Sequence, residues 1–160
     1  MEEKKDKLQQ LKEKYEKLQK MYSLPGFDEL NREFEIEKIK AGSFILKEIR
    51  RAIIEKTASV LKLLELMMNP ANAPFFMFSI IKNLKSGTKK EIEEMYKNFT
   101  TLELGTLKLD IEYDEKAEAA FIKETAKKWQ EYKKGIISIC NEIERAWHSG
   151  SEKTEKGYLG

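Results

Sequence analysis

A chain of 160 residues is long enough for one sizeable hydrophobic core. With 30 basic against 28 acidic residues its net charge is only +2, which excludes a strong global pull toward nucleic acid or acidic membranes. A single cysteine, Cys140, rules out an internal disulfide, and no stretch approaches the roughly 20 apolar residues that cross a bilayer, so a soluble, cytoplasmic protein is expected.

The opening MEEKKDKLQQ is charged and lacks the apolar stretch of a secretory signal. Up to Tyr22 the apolar positions are Leu8, Leu11, Tyr15, Leu18 and Tyr22, spaced 3 and 4 alternately. That spacing is a coiled-coil seam on an otherwise charged helix, broken at Pro25-Gly26. FDELNREF then places Phe27, Leu30 and Phe34 on one side of a short helix, and Ser43 is a candidate N-cap for the next. From Phe44 to Met68, Leu46, Ile49, Ile53, Val60, Leu64 and Met67 form a stripe wide enough for a central helix, ended by Asn69-Pro70.

The uncharged run from Ala73 to Ile81 is too short to cross a membrane and is expected to be either enclosed core or partly presented to a partner. Thr88 and Glu91 fit a capping box for a helix through Ile92, Met95, Phe99 and Leu102. In LELGTLKLDIEY, residues 102–113, apolar side chains alternate as in a strand, so a small hairpin competes with a helix reaching about Leu109. Helix is the favoured reading. Asp114 caps the last helix, whose seam of Ala119, Ile122, Ala126, Trp129, Lys133, Ile136, Cys140, Ile143 and Trp147 carries it to about His148. Gly135 within it suggests a close crossing by another helix.

These elements make an all-α, elongated bundle of about five or six helices with long first, central and last members. Residues 1–148 form a single helical domain, and 149–160 a flexible tail. One histidine, His148, cannot supply a two-imidazole metal site, and Arg145 stands where a Glu-x-x-His motif would need its carboxylate. Carboxylates such as Glu91, Glu93, Glu94 and Glu118 are expected on solvated helix faces, and His148 at a helix end where the dipole favours its charge. Cys140, on the seam, is expected to be buried and slow to react. The segment SGTK lacks the spacing of a phosphate-binding loop, and no glycine-rich nucleotide loop or nucleophile elbow occurs.

No enzyme, cofactor or metal site is therefore expected. The chain reads as a non-enzymatic protein–protein interaction or scaffold protein that binds a protein partner or itself. The candidate surface is Leu8, Leu11, Tyr15, Leu18 and Tyr22 together with Phe75, Phe76 and Phe78. The alternative is nucleic-acid binding through Lys82, Lys85, Lys89, Lys90, Lys127 and Lys128, disfavoured because the 26 lysines are joined by only four arginines.

Overall fold

A computed structural model describes residues 2–72 and 74–156, with side chains from Asp6 to His148 apart from Asn72, Phe75, Phe76, Ser79 and Asn83. The chain is an all-α bundle, 87% helical, with six α-helices and no strand among the described residues. They are α1 (Glu2–Tyr22), α2 (Phe27–Phe34), α3 (Ile45–Met68), α4 (Phe75–Asn83), α5 (Ser86–Ile111) and α6 (Glu115–Lys156). Single 3-10 turns lie at Ile36–Lys38 and Pro70–Asn72. No helix of the described residues is long and apolar enough to cross a membrane.

Helix ends follow local chemistry, with two departures from the expected caps. α1 stops because Ser23 adopts φ 52°, which lets the Leu24 amide reach back to the Gln19 carbonyl at 3.1 Å and leaves Leu24 buried. Asp114 caps α6 as expected, its Oδ1 accepting from the Ala117 amide at 2.5 Å. Phe44, not Ser43, precedes the first residue of α3. α5 begins at Ser86, so Thr88 lies inside the helix and no capping box forms with Glu91. The Lys85 carbonyl opens this helix by accepting from the Lys89 amide at 3.1 Å.

The chain divides into two compact units, residues 1–59 with 100–129 and residues 60–99 with 130–160. In the first, Leu11 and Tyr15 of α1 and Phe27, Leu30 and Phe34 of α2 are buried, as are Leu46, Ile49 and Ile53 of α3 and Ala119, Ile122, Ala126 and Trp129 of α6. Trp129 donates from Nε1 to Glu33 Oε2 at 2.9 Å and lies 5.6 Å from the Phe34 ring. The second unit buries Leu61, Leu64, Met67, Met77, Ile80, Ile81, Ile92, Met95, Phe99 and Ile139. There α5 and α6 approach closely: a Cβ on Gly135 would strike the Glu91 carboxylate and come within 3.8 Å of Met95 Cε.

The core of the first unit holds a charge. Arg50 and Glu118 are both fully buried. Arg50 Nε donates to Glu118 Oε2 at 2.7 Å, Nη2 to Asp110 Oδ1 at 2.8 Å, and Nη1 to the Thr106 carbonyl at 3.4 Å. One guanidinium thus joins α3, α5 and α6, and Glu118 is a structural ion-pair partner rather than a solvated carboxylate.

Removing one member of such a pair strands the other in the core, at a cost of about 3–5 kcal/mol. Arg50→Met is expected to lower stability by that order in urea denaturation, and Arg50→Met with Glu118→Leu to recover most of the loss. The Arg50 hydrogen bond also holds the Asp110 carboxyl below its ordinary pKa. Its contribution is therefore intact above the unfolded carboxylate pKa and is lost as pH falls through the lower folded value. Asp110→Asn is expected to flatten that part of the acid-stability curve.

Candidate functional site

The segment with strand-like alternation supplies the most exposed apolar surface of the first unit. Residues 102–111 are helical, as the favoured reading has it and two residues past Leu109, and no hairpin forms. On a helix each residue turns about 100°, so side chains two apart point to nearly opposite sides. Apolar alternation on a helix therefore cannot be buried on one face. Leu102 and Leu109 are buried, while Leu104, Leu107 and Ile111, at i, i+3 and i+7, share the other side and are 57%, 58% and 80% exposed. Gly105 faces α6, where a Cβ would make ordinary contact with the Phe121 ring at 3.5 Å.

The apolar surface extends past the end of α5. Phe44, 54% exposed, meets the Tyr113 ring edge-on with centroids 4.9 Å apart. Partial burial, followed by the charges of Glu115, Glu118 and Asp114, raises the Tyr113 pKa, so its phenol stays neutral. Phe44 also stands on the rim of an open groove of about 1010 Å³ between the end of α2 and the first half of α3. Its charges are largely matched: Lys38 pairs with Glu35, and Arg51 with Glu48 at 3.1 Å, while Lys56 binds the Glu33 carbonyl. Such a groove holds no concentrated field for an anion or a cation.

The residues expected from the sequence to meet a partner are placed differently. Leu11 and Tyr15 are buried, and Leu8, Leu18 and Tyr22 are half-buried. The Tyr15 ring packs edge-on against Phe27 at 5.6 Å, its hydroxyl donates to the Pro25 carbonyl at 2.7 Å, and burial followed by Glu29 pushes its pKa far up. The Tyr22 hydroxyl donates to Glu115 Oε1 at 2.8 Å. The α1 seam is thus covered by its own chain, because α2 and α6 supply the apolar and polar partners it needs. In α4, Phe78 is exposed and Met77, Ile80 and Ile81 are buried, so of the two alternatives the run is partly outward-facing rather than fully enclosed. Ala73 and the side chains of Phe75 and Phe76 lie outside the described residues.

Of the lysines, Lys82, Lys85, Lys89 and Lys90 are exposed around the α4–α5 turn in the second unit, with Lys89 Nζ 3.4 Å from the Lys82 carbonyl. Lys127 is exposed in the first unit, and Lys128 pairs with Glu124 at 2.9 Å. His148 lies inside α6, which continues to Lys156, so no helix end adjoins it. Among the described residues no group of three or more potential ligands could hold a metal ion.

Cys140 is exposed, contrary to the seam reading. In the first unit α6 buries Ala119, Ile122, Ala126 and Trp129, as that seam requires. In the second it buries Ile139, with Tyr132, Ile136 and Ile143 half-buried. Burial in this half keeps to the side of α6 that carries Tyr132, Ile136, Ile139 and Ile143, and Cys140 lies beyond its edge. The cause is a change of neighbours: Phe99 meets Tyr132 at 6.0 Å, and Met95 lies beside Gly135.

Comparison with protein families, curated proteins and solved structures finds no match for the chain.

Cys140 is expected to react with a maleimide or disulfide reagent at a rate comparable with that of the urea-unfolded chain. Strong protection in the native protein would contradict its exposed placement.

Proposed function

We propose that this protein is a non-enzymatic helical interaction protein that docks a protein partner on the outward face of α5. The observation that carries this reading is the row of Leu104, Leu107 and Ile111 exposed on a helix whose opposite side is already buried. Isolated apolar side chains on a surface need no explanation, but a contiguous row with an adjoining aromatic pair marks an interaction site. A helix carrying anchors at i, i+3 and i+7 suits another helix or an apolar groove. The lone exposed thiol of Cys140 suits a reducing compartment, which supports a cytoplasmic setting.

Nucleic-acid binding is the second reading, and the four exposed lysines at the α4–α5 turn favour it. Salt separates the two. Binding by phosphate contacts falls steeply as salt rises, whereas apolar docking does not.

The test compares immobilised wild-type protein with the Leu107→Glu/Ile111→Glu variant as baits for partner capture. The expected result is a partner retained by the wild type at 0.3 M salt, on the order of the ionic strength that screens exposed charges within a few ångströms, and lost by the variant. Far-UV circular dichroism and urea midpoint should be unchanged, since both side chains face solvent. A variant that retains the same partner equally well would defeat the reading. Duplex or single-stranded DNA binding that is salt-steep and lost in Lys85→Glu/Lys89→Glu/Lys90→Glu would establish the second reading instead.

A further inference from the structure

The outward face of α5 has a charge pattern that matches itself. Around the helix, Glu103 flanks the apolar row on one side and Lys108 on the other. Both are exposed, and neither has an ion-pair partner among the described residues. With Leu104 and Ile111 at a positions and Leu107 at d, Glu103 falls at g and Lys108 at e, five residues later. In a parallel two-stranded seam a g residue faces the e residue five positions on in the other strand, and here that contact is Glu103 against Lys108. A two-fold axis along the seam makes the contact twice. An antiparallel pair would instead bring each flank against its own copy, Glu103 side to Glu103 side and Lys108 side to Lys108 side.

Resting on the docking reading above, we infer that the occupant of this face is α5 of a second copy of the chain, lying parallel to the first in a short heptad seam. The seam has three apolar layers, Leu104, Leu107 and Ile111, and Tyr113, paired with Phe44, follows two residues beyond the last of them. Three layers are few beside the roughly 20–30 residues a side of a standard stable interface, so the dimer is weak and its population follows concentration.

Sedimentation equilibrium on the full chain, from about 10 μM to about 1 mM, reads the association directly. The wild type is expected to shift from monomer toward dimer across that range, and Leu107→Glu to stay monomeric. Glu103→Lys and Lys108→Glu are each expected to weaken the dimer severalfold, and the double exchange, which restores opposite charges across the seam, to recover it. The exchange also discriminates orientation: single variants that bind as tightly as wild type would overturn the parallel seam. A wild type that is monomeric at about 1 mM would overturn the second copy as occupant. If that monomer still captures a partner that Leu107→Glu/Ile111→Glu loses, only the self-pairing fails. If it captures none in that surface-dependent way, the docking reading fails with it.

Discussion

Arg50 keeps a full positive charge with no exposed surface, and only the simultaneous presence of Glu118 and Asp110 makes that tolerable. Apolar packing is forgiving about register, because one leucine can substitute for another in a similar space. A buried guanidinium is not. Its planar fork has to find Glu118 on α6, Asp110 and the Thr106 carbonyl on α5, each from a fixed direction. Rotating α3 by one residue would leave a charge in the apolar core, so the pair specifies which faces of these helices meet in the first unit. The α5 face set in this way includes Asp110, and the side left outward is the one carrying Leu104, Leu107 and Ile111.

The helices were legible because this chain repeats apolar residues at 3 and 4 over long stretches. α1, α2 and α3 lie within a residue or two of where that repeat places them, and Asp114 marks the start of α6 in both. Legibility ended where a helix changes neighbours. The α6 seam is continuous in sequence from Ala119 to Trp147, yet burial follows it only to Trp129 and then moves to Ile139, which exposes Cys140. Periodicity describes a helix's own symmetry and says nothing of which helix comes to lie beside it. Thr88 was misplaced for a local reason, since α5 starts two residues earlier on a backbone carbonyl without any side-chain cap.

The candidate surface was written in the sequence in a form that invited the wrong structure. Alternation in 102–113 suggested a strand, yet the helical neighbours on either side leave no pairing edge for one. Once the segment is helical, the same alternation becomes a statement about exposure, because half of its apolar side chains have no inward direction to take. The buried ion pair had a signal too: Arg50 stands between Leu46 at i−4 and Ile53 at i+3, inside the apolar arc of α3. The burial of Leu11 and Tyr15 had none, because a narrow seam on a charged helix looks the same whether its partner is its own chain or another.

The chain's two tryptophans fall one to each unit, in opposite surroundings. Trp129 is buried, hydrogen-bonded to Glu33 and bordered by the Lys56 ammonium at 5.7 Å, whereas Trp147 is half-exposed. Their emission therefore separates by colour, with Trp129 bluer and sheltered from iodide and Trp147 redder and quenchable. Followed through a thermal ramp, the blue component reports the loss of the Trp129 environment in the first unit against a background from Trp147 that is already close to that of a solvated indole.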